Sequence, residues 1–269
     1  MLLRTLLAGL CLAVTLPTDA RAEVHGGADL EMGFARWDDV TILAPQISGW
    51  LGINQRARVE ASFGFSHVDI DGVKRLELGN PYLGAAFTLP TTRARSFAGL
   101  GVALPVASLP DEFRDLVLGS AALAGALQLR ALRDSWLWYP DTLTVVVSGG
   151  AASAATQGGF EASISGDAAV LIATKTADRD KAELAIQLVG TGAYVMSRAF
   201  RAGVDLVAVW SPTEGDDDNF QLSVEPFVRV GFGAVSARVG LTLPIDEPLG
   251  PPFDEKAGWG LRFGVGFAL

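Results

Sequence analysis

An alternation of period two runs along almost the whole chain and constrains its fold more than any other feature. In the stretch 258–269, Trp259, Leu261, Phe263, Val265, Phe267 and Leu269 fall on one face. Gly258, Gly260, Arg262, Gly264, Gly266 and Ala268 fall on the other. Side chains alternate across a strand, so this is a strand with an apolar face and a small or polar face. Similar segments, broken by turn residues, recur from residue 29 onward. A soluble two-sheet sandwich has the same period but seldom keeps its outward faces so uniformly apolar. The pattern predicts an all-β fold, a transmembrane antiparallel up-and-down β-barrel.

The hydropathy agrees. Its mean is +0.32, yet the longest charge-free apolar run, 116–127, is far shorter than the roughly 20 residues of a spanning helix. A barrel accounts for this, because half of each strand faces lipid. The N-terminus reads as a secretory signal peptide over residues 1–22: Met1-Leu-Leu-Arg4, an apolar run from Leu6 to Leu16, then Ala20-Arg21-Ala22. The mature barrel is then 23–269. A lipoprotein signal using Cys11 is the rival, but Leu10 stands where a small residue is wanted. Cleavage removes Cys11, the only cysteine, and with it any disulfide or thiolate metal site. A net charge of −9 without a basic run argues against a nucleic-acid partner.

Twelve strands are expected near 28–37, 44–53, 56–69, 75–89, 95–105, 142–153, 159–173, 181–195, 199–210, 219–231, 234–244 and 257–269. An even number suits a bacterial single-chain barrel, which has short inner turns, longer outer loops and both termini inside. The inner connections 54–55, 91–94, 154–158, 196–198 and 231–233 are short, and the outer connections are expected to be the long ones, as 106–141, 211–218 and 244–256 are. Pro226 falls within a strand, and Pro81 marks a bulge, because the apolar parity shifts across it.

The same parity assigns faces. Val59, Phe65, Phe160, Ile164, Leu188, Leu206, Phe220, Val228 and Val239 point to lipid. The inward charges are Asp29, Glu31, Glu60, Glu161, Asp167, Glu183, Asp205 and Glu225, against Arg58, Lys181, Arg201, Arg229, Arg238 and Arg262. Such charges must pair across the lumen or meet water. Two readings stand: a salt-bridged interior that holds the barrel closed, or a narrow channel whose charges set selectivity. Twelve strands give a barrel about 24 Å across between backbones, room for a small solute.

The third outer loop is unlike the others. Ser108-Leu-Pro-Asp111 resembles a capping box, and the alanine- and leucine-rich run 115–130, followed by Arg133, favours a helix with arginines at its C-terminal end. So apolar a helix must fold into the barrel mouth or lie on lipid. Trp136, Trp138 and Tyr139 suit an interfacial girdle. The alternative is two further strands, making fourteen.

Catalytic signals are thin. His67, beside Ser66 and Asp69, is the one candidate for an enzyme at the outer rim, and by parity it faces outward. The acidic run Glu214, Asp216, Asp217 and Asp218 is either a cation site near lipopolysaccharide phosphates or a solvated loop. No cofactor motif or zinc spacing appears, and the chain is not expected to be an enzyme.

The stretch Leu78-Gly-Asn-Pro-Tyr-Leu-Gly84, with Leu100-Gly-Val-Ala-Leu-Pro105, resembles the bacterial outer-membrane transporters of the phenol-degradation-pathway type. The match covers under a tenth of the chain. It implies a channel for a small solute, hydrophobic or aromatic in that family. The ending at Leu269 departs from the aromatic final residue usual in barrels handed to the barrel assembly machinery. The sequence reading is therefore an outer-membrane channel of a Gram-negative envelope. Its partners are outer-membrane lipid and lipopolysaccharide, the assembly machinery during biogenesis and a small solute. A non-conducting structural or adhesive barrel is the alternative, and a rim hydrolase is the third reading.

Overall fold

The computed structural model describes residues 25–268 apart from 38, 90–93, 111, 131, 154–157, 176–181, 213–218 and 246–259. The expected signal peptide, Lys181 and the acidic run at 214–218 lie outside the described residues. The strands are β1 Gly26–Trp37, β2 Val40–Gly52, β3 Ala57–Ile70, β4 Val73–Leu78, β5 Tyr82–Leu89, β6 Arg95–Ala103, β7 Thr142–Ala152, β8 Phe160–Ala173, β9 Ala182–Val195, β10 Phe200–Trp210, β11 Phe220–Phe232, β12 Val235–Pro244 and β13 Gly260–Ala268. Each is antiparallel to its neighbours. β1 pairs with β13 and β2 with β3, so the sheet closes on itself. A closed barrel leaves no unpaired edge, which hydrocarbon would not tolerate.

β4 and β5 are two halves of one strand, so the barrel has twelve staves. β3 pairs Phe65 with Leu78 but Ser62 with Tyr82. Three steps along β3 therefore oppose four along its partner, and the extra residue falls in Gly79-Asn80-Pro81. This is the bulge read from the parity shift. A second irregularity lies at Pro226. The β11–β12 ladder resumes at Phe227–Gly240 after Val224–Leu243, skipping the residues where proline has no N–H to give.

The outer face is the apolar one. Ile47, Val59, Leu83, Phe87, Leu100, Val147, Ile164, Leu188, Leu206 and Phe263 are all exposed. Water would not tolerate a continuous apolar belt of this kind, whereas lipid solvates it.

The connections depart from expectation at two places. Long outer connections do occur after β6, β10 and β12. The first two outer connections, however, are only two residues each, 38–39 and 71–72. The strands there run on past the expected ends: β2 starts at Val40 rather than 44, and β3 continues to Ile70. The Asp71-Gly72 turn has φ of 53° and 79°, the doubly left-handed geometry that a tight hairpin requires. These extended hairpins back the helix described next.

α1, Phe113–Leu129, is the single α-helix among the described residues, and it excludes the fourteen-strand alternative. It starts later than a capping box at Ser108 would place it. Its N-cap is Glu112, which makes no side-chain capping bond. The reason is packing: α1 is held by its buried face, not by its cap. Leu118, Ala122, Leu123, Ala126 and Leu129 bury against Ala35, Ile42, Ala44 and Val68 on the inner faces of β1, β2 and β3. Ser66 donates a hydrogen bond across this contact to the Ala122 carbonyl, at 2.6 Å. The helix thus lies inside the barrel and fills its outer half. Trp136 and Trp138 follow it inward. Both are buried, and neither joins an interfacial girdle.

Candidate functional site

The inward-folded loop, residues 104–141, is fixed to the wall in two places. One is the bulge. Asn80 is fully buried. Its side-chain amide donates to the carbonyls of Trp136 and Tyr139, at 3.1 and 2.7 Å, and its Oδ1 accepts from the backbone N–H groups of Val106 and Ala107, at 2.9 and 2.8 Å. Its own N–H donates to the Leu137 carbonyl. One side chain therefore clamps both the entry and the exit of the loop. Trp138 packs against the wall beside it. A Cβ at Gly64 would come within 2.5 Å of the Trp138 ring. Only glycine lets the ring seat there.

The second fixing is ionic. Asp134, Arg130, Glu31, Arg262, Glu225, Arg238, Asp205 and Arg133 form one alternating chain of ion pairs. Arg130 binds Asp134 at 3.1 Å and Glu31 at 2.9 Å. Arg262 bridges Glu31, at 2.8 Å, and Glu225. Arg238 bridges Glu225 and Asp205, both at 2.8 Å, and Arg133 closes on Asp205 at 2.9 Å. Four acids balance four arginines, and the chain starts and ends on the loop. Between, it crosses β1, β13, β11, β12 and β10. Arg238 also stacks 3.9 Å from the Phe227 ring centroid. Thr191 donates to Asp205, and Gln187 accepts from the Asp134 N–H. Glu225 and Asp205 are almost fully buried, where an unpaired carboxylate would not survive.

The structure thus brings together Asp205, Glu225, Arg238 and Arg262 from the sequence-derived set, with Glu31. The remainder of that set lies apart from the chain of pairs. Arg201 binds Glu161 at 2.8 Å, and Arg58 lies 3.4 Å from Glu60. Gln187 donates to Asp167 at 3.2 Å, and Arg229 donates to Ser236. Glu183 stands on the inner face of β9 opposite Leu171, at the outer end. Sequence reasoning missed Arg130, Arg133 and Asp134, because nothing in a loop's sequence shows which wall residue it meets. It also missed the inward aromatic residues Trp50, Tyr82 and Phe97. Trp50 shares the parity of Gln46 and Ser48, which was the available signal.

Below the loop, toward the end where β1 starts and β13 finishes, the lumen stays open. A chamber of about 380 Å³ lies under Arg130 and Asp134 and reaches Trp50, Glu60, Phe97 and Asp167. A second cavity of about 400 Å³ forms the inner mouth, around Arg198, Arg201, Arg229 and Ser236. Asp29 and Trp50 line both. At the outer rim, Ser66 faces the lumen and is committed to α1, while His67, its neighbour on the strand, has the opposite parity. The two do not form a nucleophile–base pair.

Solved structures share this fold, and two of them are outer-membrane barrels covered over their whole length. The COG4313 outer membrane channel from Pseudomonas putida F1 superposes with a TM-score of 0.58 at 11% identity, covering 95% of this chain and all of that one. The NanC porin superposes with a TM-score of 0.57 at 8% identity, covering 90% of this chain and all of that one. No protein-family model matches the chain, and no curated protein does. The likeness establishes an outer-membrane β-barrel fold. The apolar outer belt suits such a barrel to a lipid bilayer.

Proposed function

We propose that the protein is an outer-membrane channel for a small solute, closed in this conformation by its own loop. The carrying observation is the way the loop is held. It covers the open part of the lumen and is held there by ion pairs at Arg130 and Arg133 and by the hydrogen-bonded clamp at Asn80. Arg130, Arg133 and Asp134 line the open chamber beneath the loop, so the ionic anchor borders the cavity that the loop covers. The likeness to a channel and a porin agrees with this reading, as do the open cavities beneath the loop. The narrow charged lumen, lined by the arginines and carboxylates named above, is its conduction path, and the chain has no catalytic role. Delivery by a cleaved signal over 1–22, insertion by the barrel assembly machinery and an outer rim against lipopolysaccharide belong to the same proposal. So does the resemblance to phenol-degradation transporters, which favours a small organic solute.

One observation favours a non-conducting structural barrel instead. The outer half of the lumen is packed by α1 as an apolar core, with Ala122 and Ala126 fully buried. Planar-bilayer recording of the refolded protein with and without residues 108–134 separates the two. A loop-closed channel conducts more after the deletion. A structural barrel whose wall charges close the lumen stays silent.

A further inference from the structure

The two open cavities carry opposite charge. In the chamber, Glu31, Arg130, Arg133 and Asp134 neutralise one another within the chain of ion pairs. The remainder is Asp29, Glu60 and Asp167 against Arg58. Asp29 and Asp167 make no ion pair among the described residues, and Asp167 has only the Gln187 amide. Gln46, 95% buried, and Ser148 line this chamber; the Gln46 Oε1 and the Ser148 hydroxyl have no hydrogen-bond partner, and neither do the Nε groups of Arg58, Arg130 and Arg133, which line it too. The chamber therefore holds an excess of carboxylates beside Trp50 and Phe97. These rings already lie 6.0 and 5.5 Å from the Arg58 guanidinium. Arg58 alone does not balance the three carboxylates, so the chamber suits a further cation. The two aromatic rings beside the carboxylates suit an organic ammonium.

The inner mouth is the reverse. Arg201 stands directly opposite Arg229, and Arg229 directly opposite Arg238, on three adjacent strands. Like charges in directly opposed positions destabilise a sheet. Arg201 has Glu161, and Arg238 has two carboxylates, but Arg229 has only a serine hydroxyl, and Arg198 nearby has no carboxylate among the described residues. Arg229 thus sits between two other arginines without a carboxylate in direct contact, Asp29 being the one described acid that lines the same mouth, and such a placement breaks a local rule in the way binding sites do.

We propose that the lumen binds a small zwitterion of the amino-acid type, its ammonium in the chamber at Asp167 and Glu60 and its carboxylate at Arg229 in the inner mouth. Asp29 and Trp50, common to both cavities, mark the junction that the solute spans. A simple cation would be repelled by the arginines at the mouth, and a simple anion by the carboxylates beyond them. The proposal names the solute class of the channel proposed above and rests on that reading for transport, but binding does not depend on conduction.

Isothermal titration of the folded barrel in detergent micelles tests it, with 4-aminobutyrate, butylamine and butyrate as probes and circular dichroism confirming the fold of each variant. The zwitterion is expected to bind at least tenfold more tightly than either single-charge probe. Asp167→Asn, or Glu60→Gln as a second variant, should weaken 4-aminobutyrate and butylamine about tenfold and leave butyrate unchanged. Arg229→Gln should weaken 4-aminobutyrate and butyrate and leave butylamine unchanged. Butylamine or butyrate binding as tightly as 4-aminobutyrate overturns the proposal, as does the absence of binding by all three. A barrel that binds the zwitterion yet never conducts refutes the channel and keeps the site.

Discussion

At the scale of single residues, Asn80 and Glu225 do the most to fix the loop. Asn80 satisfies four groups of the loop with one side chain, and the bonds to Trp136 and Ala107 are buried. Asn80→Ala leaves those groups without partners at a cost of about 1–3 kcal/mol each where water cannot reach them. The expected result is a barrel that still folds but whose loop is released, seen as faster proteolysis within 104–141. Unchanged protease resistance would show that the apolar packing of α1 holds the loop alone. Glu225 sits between two arginines, so Glu225→Gln leaves four arginines against three acids in a largely buried network. That should cost about 3–5 kcal/mol, read as a lower urea midpoint for tryptophan fluorescence. A midpoint equal to wild type would mean that water already reaches the network.

At the scale of elements, the strands are self-sufficient and α1 is not. The ladders close around the barrel without any contribution from the helix, whereas α1 lacks a side-chain cap and is ordered by the wall it packs against. Removal of 108–134 should therefore keep the strand signal in circular dichroism while lowering the urea midpoint. Loss of the strand signal would show that the helix is part of the folding core. The strands and the bulge were legible in the sequence because period-two alternation reports a local geometry: a parity shift at Pro81 is visible whatever lies across the lumen. The start of α1 was not, because its first turn is set by contact with β3 and β4 rather than by a capping residue. The two short outer turns escaped for a similar reason. Strand length there follows from what the hairpins support, and that lies far away in sequence.

At the scale of the whole molecule, the structure is an apolar cylinder with a polar axis, obstructed at one end. Parity placed Arg238, Asp205, Glu225 and Arg262 on the inner face, since it needs only the strand itself. Which of them pair, and that the chain of pairs begins and ends on the loop, depends on partners up to 231 residues apart, as for Glu31 and Arg262. No local pattern encodes such a contact. The charge segregation between chamber and mouth is likewise a property of the closed barrel, because it arises only once distant strands share one lumen.

The central claim is that the loop closes a conducting barrel, and single-channel recording in planar bilayers tests it most directly. The account predicts discrete openings for the full-length protein and larger, more persistent ones after deletion of residues 108–134. Silence from both proteins, each shown to be folded by circular dichroism, would contradict it.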